Sequence, residues 1–283
     1  MLFVLYHAGC LDGFASAFAV WLTKGSAAQY LAVKYQEPVP ALRGATLEDP
    51  ADVLIVDFSY PAAALLELAN RPDIRSVVVL DHHESASAEL SGLPPHPKLN
   101  IRFDMTKSGA VLTWEYLYPD KPVPELFLLV QDGDLWHWKR PDAPAVTTAL
   151  YRGIRRKFET WKPLLEAWET GARHDLCTAG TAISQADDQT LYILERGAVP
   201  ITGPNGEPGL SVNTPVLKND IAERILTSRP EIAWVSVWHE SNGVRHFALR
   251  SRKGGPCDVA AIAALHGGGG HRSAAGYRNK PPN

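Results

Sequence analysis

Three stretches of the chain are continuously apolar, and each stops on an acid or an imidazole. Leu2 to Tyr6 runs into His7, Val53 to Val56 into Asp57, and Val77 to Leu80 into Asp81, His82 and His83. Apolar runs of four or five residues without alternation predict strands covered on both faces. Helical patterns lie between them: Gly13 to Leu22 is small and apolar, and Pro61 ahead of Ala62 to Ala69 suits a first helical turn. Strands alternating with helices predict an α/β first domain with a doubly wound, mainly parallel sheet. Ligands of such sheets gather beyond the carboxyl ends of the strands, so the three polar-ended strands should converge on one site.

Further along, Ser108 is placed to cap a helix through about Tyr118. Pro124 opens another that carries an apolar run to Gln131, Asp132, Gly133 and Asp134. Residues 158 to 197 are mixed helical and read as the end of the first domain plus a connector. After Pro200 the pattern changes. Gly203 to Gly209 is turn-rich, and Trp234 to Trp238 and His246 to Arg250 alternate as paired strands around the hairpin signal Ser241-Asn242-Gly243. The expected organisation is therefore a first domain over 1–185 and a smaller mixed α/β domain over 198–283.

Composition narrows the function classes. The 283 residues are 45% hydrophobic and 21% charged, ordinary for a folded two-domain chain. A net charge of -3 gives no global attraction for a long polyanion, so long duplex nucleic acid is not an expected partner, whereas a short anion needs only local positive charge. Cys10, Cys177 and Cys257 are odd in number and form no C-x-x-C, which argues against a disulfide framework and a cysteine zinc knuckle. A cytoplasmic location is expected. Leu2 to Leu22 imitates a signal peptide or membrane span, yet it lacks a basic leader and contains His7 and Asp12, so no membrane association is expected.

The polar strand ends form one set: His7, Asp12, Asp57, Asp81, His82, His83 and Asp132. Carboxylates mixed with imidazole suit Mn²⁺ or Mg²⁺. Packed carboxylates repel one another unless cations lie between them, so an assembled cluster implies metal. A single acid after a strand is commonly a cap or loop residue; four elements ending this way, one with paired histidines, point to a site. The chain has no G-x-S-x-G elbow, Walker loop or G-x-G-x-x-G pattern.

These motifs resemble those of the DHH phosphoesterases, the superfamily of RecJ-like exonucleases and of nanoRNA and cyclic-dinucleotide phosphodiesterases. The resemblance rests on His7-Ala-Gly-Cys-Leu-Asp12-Gly13, on Asp57, on Asp81-His82-His83, on Asp132 with Trp136, and on Gly267 to Gly276 with its G-G-G-H segment ending at His271. It implies a DHH catalytic domain followed by a DHH-associated substrate-binding domain. Asp57 would bridge two metals, with His7 on one side and Asp12, His82 and Asp132 on the other. Asp81 and His83 would join Asp57 in catalysis, His83 either supporting the metal ligands from behind or facing the phosphate. One or two Mn²⁺ ions are implied, with Mg²⁺ or Co²⁺ as substitutes. Relatives commonly carry D-x-D where this chain has Cys10-Leu11-Asp12, which leaves Cys10 open as a ligand or as a small buried apolar residue. Asp134, two residues beyond Asp132, is the alternative fourth-motif ligand.

Four consecutive glycines between Val259 to Leu265 and Ala274 to Gly276 read as a helix–loop junction rather than a flexible linker, and suit close backbone approach to an anion, so Gly268, Gly269, Gly270 and His271 are expected at substrate; the resemblance implies Arg250 as a phosphate ligand, with Arg272 as a second candidate. Trp136 and Trp138 offer rings for base stacking or for the core. The expected activity is metal-dependent hydrolysis of short oligonucleotides or small nucleotide phosphate esters to nucleoside monophosphates, with a homodimer as one arrangement open to the chain. The alternatives are a pAp- or pyrophosphate-type phosphohydrolase and a catalytically weakened nucleotide-binding protein.

Overall fold

The computed structural model describes residues 1–279. The chain divides into two compact units, Met1–Ile183 and Ser184–Asn283. The first is built on a five-stranded sheet of β1 (Leu2–His7), β2 (Ala28–Val33), β3 (Ala51–Val56), β4 (Ile74–Asp81) and β5 (Leu99–Phe103). The strand order is β2-β1-β3-β4-β5 and every pairing is parallel. The helices are α1 (Leu11–Lys24), α2 (Ala62–Asn70), α3 (Glu84–Leu90), α4 (Gly109–Leu117), α5 (Glu125–Asp134), α6 (Ala143–Thr148), α7 (Phe158–Glu169) and α8 (His174–Arg196), the last continuing into the second unit.

The apolar strands are covered on both faces, as their lack of alternation requires. One face gathers Phe3, Leu5, Val53 and Ile55 with Leu65 and Leu68 of α2. The other carries Val4, Leu54, Val56 and Leu80 beneath α1, beyond which Phe14, Phe18, Phe127 and Trp161 stack between α1, α5 and α7. Each fully buried side chain of this size contributes roughly 1.5–3 kcal/mol. The chain leaves β1 toward β2, then crosses back over β1 to β3, so strand order reverses between β1 and β3. Loops leaving those two strands diverge, and a crevice opens at their carboxyl ends.

The second unit holds the six-stranded sheet β10-β11-β9-β8-β7-β6. Its elements are β6 (Val199–Thr202), β7 (Pro208–Asn213), α9 (Lys218–Ser228), β8 (Trp234–Ser241), β9 (Val244–Ser251), α10 (Val259–Ala264), β10 (Gly269–His271) and β11 (Ala274–Asn279). Among the described residues of this unit, only β7 and β8 pair in parallel. Ile221 and Ile225 of α9 pack on Val235 and Val237, while Val259 and Ile262 of α10 pack on Leu249 and Ala275. The hairpin joining β8 and β9 turns at Asn242 and Gly243, both with positive φ, which is the geometry a two-residue turn of this kind needs. Among the described residues no helix is long and apolar enough to cross a membrane; the apolar run from Leu2 to Leu22 is divided between β1 and α1.

Candidate metal centre

The carboxyl ends of β1, β3 and β4 each deliver part of one cluster. His7 closes β1, and the following turn, with Gly9 at φ 79°, places Cys10 at the N-cap of α1 and Asp12 in its first turn. Asp12 is fully buried. Its Oδ2 accepts from the Gly109 amide at 2.6 Å and its Oδ1 from the Ala110 amide at 3.1 Å, so the carboxylate ties the start of α4 to the start of α1. Negative charge at a helix N-terminus is favourable, which offsets part of the cost of burying it.

Asp57 follows β3 with φ 62°, the left-handed region that Asp tolerates better than most residues. It is held there by its own amide donating to Leu80 O at 2.9 Å. Two glycines make room for it. A Cβ on Gly109 would lie 2.6 Å from Asp57 Cβ, and one on Gly13 would lie 2.4 Å from the His7 carbonyl and 3.0 Å from Asp57 Oδ2. The two Asp57 oxygens face different partners: Oδ1 is 3.1 Å from His82 Nε2, and Oδ2 is 3.6 Å from His7 Nδ1.

At the end of β4, buried Asp81 accepts from the His82 and His83 amides and lies 2.6 Å from His83 Nδ1. A proton on Nδ1 shared with the Asp81 oxygen leaves Nε2 to accept in the neutral ring and to donate in the imidazolium. That Nε2 is 3.1 Å from the Tyr35 hydroxyl, whose ring lies 4.3 Å from the His7 ring. Asp134, the last residue of α5, completes the cluster with Oδ2 3.6 Å from His82 Nε2; Asp12 Oδ2 is 3.7 Å from the same nitrogen.

The expectation for Asp132 needs correction. Its carboxylate is buried and accepts from the Lys139 and Arg140 amides at 3.1 and 3.0 Å, so it holds the loop after α5. Residues two apart on a helix point to nearly opposite sides, so only one of Asp132 and Asp134 can face His82, and it is Asp134. Trp136, which suggested the register of that motif, is 71% exposed and packs edge-on to Trp138 rather than entering the core.

The electrostatics show what the cluster lacks. Burial, then the charges of Asp57 and Asp134, hold the Asp12 carboxyl well above its usual range. Burial and Asp57 push Asp134 up to about 6. Burial also opposes charge on Asp57, but the His7 and His82 imidazoles outweigh it and bring Asp57 down to about 2. Burial followed by the Asp57 and Asp12 charges raises the Cys10 thiol. For His82, burial is outweighed by Asp57 and the result is upward; for His83 the Asp81 hydrogen bond is the main upward cause. No lysine or arginine pairs with Asp12, Asp57 or Asp134 among the described residues, and the buried atoms His7 Nδ1, Asp57 Oδ2 and Asp81 Oδ2 have no hydrogen-bond partner. Orphaned buried ligand atoms and mutually repelling carboxylates fit a bound divalent cation. Three overlapping sets have donor atoms within 4.8 Å of one another: His7, Cys10 and Asp57; Asp57, His82 and His83; and Asp12, His82 and Asp134.

The glycine-rich segment lies in the second unit. Gly268 and Gly270 are required by their own hairpin: Cβ atoms there would meet the Gly276 carbonyl at 2.2 Å and the Ala274 carbonyl at 2.6 Å. Gly267 to Gly269 border a cavity of about 550 Å³ shared with Lys218, His239, His246 and Arg278. Arg250, Arg272, Gly270 and His271 do not line it. Arg250 binds the Asn219 side chain, Arg272 pairs with Asp258, and His271 is exposed on the edge strand β10. The glycine run is thus partly a strand rather than only a junction after a helix. Tyr35 escaped the sequence reading because a lone tyrosine in a polar turn carries no pattern.

No family profile matches the chain. It is 32% identical over 295 aligned residues to the uncharacterized protein R106 of Acanthamoeba polyphaga mimivirus; the match takes in 96% of the chain, which spans 66% of that relative's length. Among solved structures, a DHH domain from a member of a family of ribosomal proteins superposes with TM-score 0.58 at 13% identity, over 97% of this chain and 82% of that one. A pGpG-specific phosphodiesterase from Vibrio cholerae superposes with TM-score 0.53 at 13% identity, over 99% and 93%. The chain has the DHH-domain fold.

Proposed function

We propose that the protein is a metal-dependent phosphoesterase that hydrolyses short oligonucleotides or small nucleotide diesters to nucleoside monophosphates. The observation that carries this reading is the buried, uncompensated carboxylate and imidazole cluster at the ends of β1, β3 and β4. Asp57 would be shared by two cations, with His7 and Cys10 on one side and His82, Asp12 and Asp134 on the other. Divalent cations held there supply neutralising charge for a phosphoryl group in an in-line displacement and acidify water as the nucleophile. His83, held by Asp81 through Nδ1 and contacted by Tyr35, would donate from Nε2 to a phosphate oxygen or the leaving group in its protonated form, which the Asp81 hydrogen bond favours.

A nucleotide rather than an inorganic substrate is favoured by the cavity of the second unit, where Lys218 and Arg278 border the exposed glycine backbone in a way that suits an anion with a large organic body. The pGpG-specific neighbour acts on a dinucleotide, which supports the same size class. The expected setting is the cytoplasm. Turnover of a di- to pentanucleotide ladder, pAp and pyrophosphate with Mn²⁺ tests the proposal: release of mononucleotide from the short oligomers supports it, and absence of release from all of them refutes it.

A further inference from the structure

The two sides of Asp57 differ chemically. Toward β4 and α5 the donors are carboxylate and imidazole; toward β1 they are His7, Cys10 and Asp57, so one donor is sulfur. Asp57 is 1% exposed, its Oδ2 has no hydrogen-bond partner, and the equally orphaned His7 Nδ1 stands 3.6 Å away. That distance is too long for a hydrogen bond and close to the ~3.3 Å that separates two ligands each ~2.05 Å from a tetrahedral ion. Cys10 forms no disulfide, and its Sγ lies within 4.8 Å of a ring nitrogen of His7 and a carboxylate oxygen of Asp57. Thiolate with imidazole and one carboxylate is a zinc-type donor set, whereas an oxygen-rich set favours manganese or magnesium.

We propose that His7, Cys10 and Asp57 form a thiolate-containing position selective for Zn²⁺ over Mn²⁺, beside an oxygen-rich position at Asp57, His82, Asp12 and Asp134, so that the centre takes two different divalent ions. This rests on the metal-centre reading above. On loading, the Cys10 S–H bond breaks, a sulfur–metal bond forms, and the proton leaves to solvent. The position keeps a site free for water or substrate, as three-ligand zinc sites do.

The test uses the full chain loaded with Co²⁺ as an optical stand-in for zinc. One thiolate-to-cobalt charge-transfer band per chain is expected in the near ultraviolet; it should be lost in Cys10→Ser and Cys10→Asp and kept in a Cys177→Ser, Cys257→Ser double variant. Serine and aspartate are good N-caps, so α1 should form in both Cys10 variants. Under excess Mn²⁺ the wild type should retain one zinc, and Cys10→Asp should exchange it, with zinc affinity falling by more than the about 10–100-fold typical of losing an outer-shell partner. Cobalt bound without a thiolate band, or a band that survives Cys10→Ser, overturns the proposal and leaves the metal centre standing. Failure of the wild type to bind any cobalt overturns both.

Discussion

Asp134→Asn separates the cost of the cluster from its purpose. The Asp134 carboxyl is raised from 3.8 to about 6, chiefly by burial and then by the Asp57 charge. A carboxyl raised in the folded state makes the metal-free protein lose stability as pH rises from the unfolded value through about 6, with the full penalty present above that. About two units correspond to ~3 kcal/mol. An amide of the same shape carries no charge, so in chelator at pH 7.5 Asp134→Asn should melt higher than the wild type. For a unit of this size, ~3 kcal/mol is roughly 6–12 °C. Below pH 4 the two proteins should converge, because both are then neutral at this position. Adding Mn²⁺ should reverse the order, since the wild type gains binding energy that the variant largely lacks. Thermal melts with and without metal at pH 4, 6 and 7.5 measure all of this. A variant that melts below the wild type in chelator at pH 7.5, or that keeps the full metal-induced rise, would refute the reasoning.

Asp132→Ala should behave in the opposite way, losing about 1–3 kcal/mol because the Lys139 and Arg140 amides are stranded, with metal stoichiometry unchanged in equilibrium dialysis. Gly109→Ala forces a Cβ to 2.6 Å from Asp57 Cβ, backed by rigid helix and strand; a cost of about 1–3 kcal/mol in urea titrations and weaker metal binding are expected. Tyr35→Phe removes only the hydroxyl at His83 Nε2, so kcat/KM on a dinucleotide should fall by about 2–10-fold, the worth of one neutral hydrogen bond, with melting temperature and metal content as in the wild type.

Much of the first unit was legible because β1, β3 and β4 are central strands whose uninterrupted apolar runs have one physical explanation. The edge strands β2 and β5 were missed; both leave positions exposed along their length, and Ala28 to Val33 and Leu99 to Phe103 are mixed enough to pass for loops. His7, Asp12, Asp57, His82 and His83, which the structure brings together, could be singled out because they end or begin regular elements. Asp132 was favoured over Asp134 by its spacing to Trp136, a rule blind to helix phase; where α5 ends decides which acid faces His82. In the second unit the β8–β9 hairpin was readable from Asn242-Gly243, whereas the glycine run misled in part. Two of its glycines serve close packing against β11, a reason no spacing rule separates from ligand approach.

The central claim is that Asp57 lies between bound divalent ions. Anomalous scattering from crystals of the full chain grown with Mn²⁺ and Zn²⁺, recorded at both metal edges, tests it most directly. The account is upheld by two peaks, one beside each Asp57 oxygen, bounded by His7 and Cys10 on one side and by His82 and Asp134 on the other. Well-ordered crystals with no peak within bonding distance of Asp57 would contradict it.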